Sequence, residues 1–159
     1  MRLSIRIKLL STIFFIITLL GGGLYITATQ LASDALYLQV KQQLNSNSDL
    51  SYTLCETMYP GAWAIKDNTL YKGGKVLSGN TELVDLIKKR TGCEATIFMN
   101  DVRVTTSVLK EGQRAVGTAA KPEVAEKVLK NGQEFAGEAE VVGKIFETCY
   151  VPIRDASNN

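Results

Sequence analysis

The 159 residues contain no histidine. That excludes serine–histidine and cysteine–histidine triads, zinc sites built on imidazole, and histidine-ligated haem. Covalent haem is excluded with them, because no Cys-x-x-Cys-His run is present. Cysteine is scarce: Cys55, Cys93 and Cys149 are widely spaced and odd in number. They read either as one disulfide with one free thiol or as three buried free thiols. A cysteine nucleophile would lack a histidine base, so no enzyme and no cofactor are expected. A formal net charge of +2 leaves no electrostatic footprint for nucleic acid. Acidic residues are missing entirely before Asp34, whereas Arg2, Arg6 and Lys8 stand at the start.

Charge is also missing from Leu9 to Thr29, a run of 21 residues rich in Leu, Ile and Phe. At about 1.5 Å per residue a helix of this length spans roughly 30 Å, the thickness of a bilayer core. Gly21-Gly22-Gly23 is tolerable in such a span. The run exceeds the roughly 7–15 apolar residues of a signal peptide. Basic residues before it and none just after place the N-terminus in the cytoplasm and the remainder outside. Residues 1–8 are thus a cytoplasmic basic head, residues 9–29 a transmembrane helix, and residues 30–159 an extracytoplasmic domain.

From Gln30 to Met58 there is neither proline nor glycine, and Leu31, Ala35, Leu38, Leu44, Leu50, Leu54 and Met58 recur at helical spacing. One long helix is expected to leave the membrane and end at Pro60-Gly61. It reads as a plain stalk or as a rod joining domain to membrane. Beyond it the texture changes. Trp63-Ala64-Ile65, Leu70-Tyr71 and Val76-Leu77 alternate with Asp67-Asn68 and Gly73-Gly74, a small meander. A helix over 82–90 is capped by Asn80 or Thr81 and stopped by Thr91-Gly92. A hairpin turns at Asn100-Asp101, a helix opens at Pro122 and stops at Asn131-Gly132, and two strands flank Gly143. This order predicts an α+β domain with helices packed on an antiparallel sheet.

Gly92-Cys93-Glu94-Ala95-Thr96-Ile97-Phe98, Arg103-Val104-Thr105-Thr106 and Gly112-Gln113-Arg114-Ala115-Val116-Gly117-Thr118 stand in one order. Ile65-Lys66-Asp67 precedes them; Gly137-Glu138-Ala139-Glu140, Gly143, Tyr150, Pro152-Ile153 and Asp155 follow. This series resembles the single-Cache domain of methyl-accepting chemotaxis proteins over about residues 30–159. The resemblance implies a PAS-like central antiparallel sheet, a long N-terminal helix, and a small-molecule site between the sheet and its covering loops. Phe146 stands where the family usually has tyrosine, Cys149 where it has a small residue, and Val151 where an acidic residue is common. The family continues past Asp155 with a turn, a strand and a second membrane helix. The domain is therefore expected to lack its last strand and the chain to be a fragment.

Small carboxylates call for donors in fixed geometry, which guanidinium supplies. Arg103 and Thr105 are expected on one face of their strand, with Val102 and Val104 opposite. Arg114 follows a glycine turn and could enter the same concavity. Phe146, Thr148 and Tyr150 share a face of the last strand and offer an aromatic wall with two hydroxyls. Each arginine also reads as a solvated or ion-paired residue, the last-strand face as ordinary sheet packing, and Trp63 as core. The expected function is extracytoplasmic small-molecule sensing for a chemoreceptor-type membrane protein. The expected partners are a small-molecule ligand, the membrane, and a second copy through the long N-terminal helix. The alternatives are a membrane-anchored scaffold domain that senses nothing, and the sensor of a histidine kinase or cyclic-nucleotide enzyme.

Overall fold

The computed structural model describes residues 4–155. Arg2 of the basic head and the terminal Asn158-Asn159 lie outside the described residues. The chain divides into two compact units, residues 1–40 and residues 41–159. Helix α1 (Ile5–Met58) begins in the first and ends in the second.

In the first unit every described residue is exposed, and α1 carries a window long and apolar enough to cross a membrane. The hydroxyls in this run are accounted for locally. Ser11, Thr12, Thr18, Thr27 and Thr29 each donate to a carbonyl three or four residues back along the helix. A hydroxyl facing lipid has no water to bond, so this back-bonding removes the cost of placing it there.

In the second unit α1 becomes one-sided. Leu44, Asn47, Ser48, Ser51, Leu54, Cys55 and Met58 are covered, at spacings of three and four, while Leu50 between them stays exposed. Pro60-Gly61 ends the helix as expected. The meander follows as β1 (Trp63–Lys66), β2 (Thr69–Lys72) and β3 (Lys75–Val76), paired antiparallel in that order. Gly61 and Gly73 are needed where the helix exit crosses the meander. A Cβ on Gly61 would come within 2.8 Å of the Gly73 Cα, and one on Gly73 would strike the Pro60 carbonyl.

No basic residue lies in the last turn of α1. Lys72 supplies the missing charge from β2. Its ammonium reaches Glu56 at 2.8 Å, donates to the Gly61 carbonyl, and lies 5.3 Å from the Trp63 ring centroid. A cation there complements the negative end of the helix dipole, which is why a lysine occupies a core-facing strand position. Beside it the buried Cys55 thiol is pushed up to about 11 by burial.

Helix α2 (Glu82–Thr91) starts where the Asn80 side chain accepts from the Glu82 amide at 3.0 Å, and it ends on Gly92 in a left-handed conformation. Thr81 makes no side-chain cap bond. Leu83, Val84 and Ile87 of α2 pack with Cys55, Tyr59, Leu70 and Leu77. The hairpin β4 (Thr96–Met99) and β5 (Val102–Thr106) adds Ile97, Met99 and Val104 to that core. Two short strands, β6 (Leu109–Lys110) and β7 (Gln113–Arg114), precede α3 (Pro122–Ala125) and its π-helical continuation Glu126–Lys130. The long hairpin β8 (Phe135–Val141) and β9 (Lys144–Tyr150) closes the domain.

The α+β class is as expected. The strands differ from a single central sheet: they form four small antiparallel sheets among the described residues. Between β4–β5 and β8–β9 the join is made by side chains, Phe98 against Tyr150 with ring centroids 5.9 Å apart, and not by backbone pairing.

Candidate functional site

The site grows out of an irregularity in the β4–β5 hairpin. Its two-residue turn at Asn100-Asp101 sets Met99 opposite Val102 and Phe98 opposite Arg103, but the next pair is Ile97 with Thr105. Val104 is the extra residue of a β-bulge. Phe98 and Ile97 are consecutive and so face opposite sides of the hairpin. Their partners do likewise, and Arg103 and Thr105 do not share a face. This corrects the alternation expected from the sequence: the bulge shifts the period of two by one residue.

The consequences are visible in the contacts. Thr105 is 0 % exposed, and its hydroxyl donates to the Asn80 carbonyl at 2.6 Å. Asn80 donates in turn to the Tyr59 hydroxyl, and Tyr59 donates to Glu82. Thr105 therefore belongs to a hydrogen-bonded cluster that ties β5 to the ends of α1 and α2. Burial raises the Tyr59 phenol above its ordinary range, and the hydrogen bond to Glu82 adds to the rise.

Arg103 points the other way. It is 3 % exposed, and its guanidinium lies 5.0 Å from the Phe98 ring centroid. The segment after β7 is clamped along β5 by bonds from Arg103 N to Thr118 O and from Gly117 N to Arg103 O, both 2.9 Å. This places Thr118, whose hydroxyl accepts from Arg103 Nη1 at 2.8 Å; the Ala119 carbonyl accepts from the same nitrogen at 3.2 Å. Arg103 Nε is buried with no partner among the described residues. No described carboxylate forms an ion pair with Arg103. Burial pulls the guanidinium below its ordinary value, opposed by the neighbouring Tyr150; burial likewise raises the Tyr150 phenol, opposed by Arg103.

Hairpin β8–β9 runs in unbroken register, with Phe146 opposite Ala139, Thr148 opposite Gly137 and Tyr150 opposite Phe135. Phe146, Thr148 and Tyr150 therefore share a face, as the sequence implies. Tyr150 stacks edge-on against Phe135 at 6.0 Å and meets Phe98. The Thr148 hydroxyl donates to the Gly137 carbonyl at 2.8 Å. Arg103, Phe98, Phe146, Thr148 and Tyr150 all line one cavity of about 1360 Å³. Trp63 lines it too, half-buried against the core and with its indole N–H unpaired among the described residues.

Arg114 is not brought to this cavity. Its guanidinium holds both Asp85 carboxylate oxygens at 2.9 Å and donates to the Thr106 carbonyl at 2.7 Å. The ion pair keeps the Asp85 carboxyl below its ordinary range and ties β7 to α2. The three thiols are unpaired: Cys93 accepts from Asn47 at 3.3 Å, and Cys149 donates to Asn45 at 3.8 Å.

Phe98 and Thr118 escaped the sequence reading. Phe98 was within reach of it, because a two-residue turn at Asn100-Asp101 already places it across from Arg103. Thr118 carried no local signal, since it meets Arg103 only through the clamped segment.

No curated protein and no solved structure matches the chain. A family model described as single Cache domain 3 matches residues 75–159, over half of the length. The long apolar helix followed by small antiparallel sheets is consistent with a Cache or PAS-like domain. Cache domains are extracellular sensor modules of signalling proteins and bind small-molecule ligands. By this match over more than half of its length, the chain belongs to the single Cache domain 3 family.

Proposed function

We propose that the chain is the sensing part of a chemoreceptor-type transmembrane signalling protein, with a small carboxylate as its ligand and no catalytic activity. One observation carries the choice of ligand: a nearly fully buried guanidinium lines a cavity and lacks a carboxylate partner among the described residues. A buried charge is costly unless it is paired. A ligand carboxylate would supply the missing charge, accept from the unpartnered Nε, and lie against the rings of Phe98 and Tyr150. Aromatic walls with a few convergent polar groups are the usual make-up of small-molecule sites.

The whole chain in detergent micelles, screened by thermal shift against carboxylates, amines and neutral analogues, tests this. A carboxylate present at about 100 times its Kd should stabilise the fold by roughly 2.7 kcal/mol. Stabilisation by amines alone, with none from any carboxylate, would reject the ligand class.

The same proposal sets the domain outside the cytoplasm, on the asymmetry of Arg2, Arg6 and Lys8 against a charge-free span. Compartment-specific reporters fused after the domain check it: the extracytoplasmic reporter should be active, and activity of the cytoplasmic one alone would reverse the orientation.

A further inference from the structure

Arg103 is a wall of two spaces. Besides the aromatic-lined cavity it borders an open cleft of about 400 Å³, where β5, β6, the segment before α3 and the β8–β9 hairpin converge. Three cations line this cleft, Arg103, Lys110 and Lys121, against one carboxylate, Glu140. That carboxylate is already engaged, with Lys121 Nζ 2.9 Å from Glu140 Oε2. Lys110 is exposed and forms no ion pair among the described residues. The cleft thus holds an excess of two positive charges, and one of its three cations, Arg103, is buried.

We propose that this cleft is a second anion site, taking a dianionic oxyanion of the phosphate type. The excess charge matches a dianion. Its donors also suit a tetrahedral anion better than a planar one. Lysine ammoniums are point charges on flexible stems, able to meet oxygens that point in different directions, whereas a carboxylate is best met by a planar fork. The fork available here, Arg103, already gives Nη1 to Thr118 and Ala119, which line the cleft. Glu140 opposes an incoming anion, so its charge sets an upper limit on affinity. Lys110 and Lys121 do not line the aromatic-lined cavity, so the cleft needs no carboxylate there; a carboxylate bound on Arg103 would cut the cleft's excess from two charges to one.

Inorganic phosphate, titrated calorimetrically into the whole chain in detergent micelles against chloride at equal ionic strength, tests the site. Saturable binding is expected at millimolar phosphate. Lys110→Glu replaces attraction with repulsion and should weaken it by about tenfold or more; being exposed and unpaired, this position should leave the melting temperature unchanged. Glu140→Gln should tighten phosphate binding. Neither substitution should alter the affinity for a carboxylate found by the ligand screen, which separates the two sites. Absence of saturable phosphate binding, or equal affinity in the parent and Lys110→Glu, would overturn the proposal.

Discussion

Arg103→Met should weaken carboxylate binding by about 30-fold or more, the range for losing one partner of a buried charge pair, while the unliganded protein melts close to the parent. The two halves of this result have different origins. Binding is lost because the only buried cation among the described residues lining the cavity goes. Stability is kept because the parent already bears the cost of an unneutralised buried charge, and an apolar side chain of similar length relieves it. Against that gain stand the two hydrogen bonds to Thr118 and the Ala119 carbonyl, each worth about 1.5 kcal/mol or more because the donor is charged. The terms oppose and nearly cancel. Denaturation without ligand and a calorimetric titration with it measure the two halves separately. A large loss of unliganded stability with unchanged affinity would assign Arg103 a structural role instead.

Leu77→Ala should produce the opposite pattern. Leu77 is 0 % exposed and lies in the cluster of Tyr59, Leu70, Leu83, Val84 and Val104, with its amide held by the Leu70 carbonyl at 2.8 Å. Truncating a fully buried leucine removes transfer energy and leaves a cavity, a loss of about 2–5 kcal/mol. For a domain of this size that lowers the melting temperature by on the order of 10 °C. Leu77 does not line the ligand cavity, so affinity measured well below the melting point should be unchanged. Thermal unfolding and ligand titration of one preparation check both. A fall of less than about 1 kcal/mol would mean that the cluster collapses around the gap, contrary to the range above.

Much of the frame was legible because local chemistry dictates it. Pro60 and Gly92 stop helices by mechanisms confined to a few residues, and Asn100-Asp101 turns a chain wherever flanking strands can pair. The membrane-length run needs only counting. Legibility fails where distant residues decide. The bulge at Val104 leaves no mark in Val102-Arg103-Val104-Thr105-Thr106, whose plain alternation puts Thr105 beside Arg103 where the structure separates them. Arg114 looked available because Asp85, which holds it, is 29 positions away. Phe146, Thr148 and Tyr150 share one face in sequence and structure alike, because β8–β9 carries no bulge and the period of two survives.

Lys72 carries a further consequence for chemistry on the intact protein. At 2 % exposure, with its ammonium occupied by Glu56 and the Gly61 carbonyl, it is shielded from solvent-borne acylating reagents that reach an exposed lysine such as Lys110 directly. Acylation at Lys72 would have to wait for the last turn of α1 to come away from β2. Its labelling rate therefore serves as a native clock for that local opening, readable by peptide mass analysis without introducing any probe.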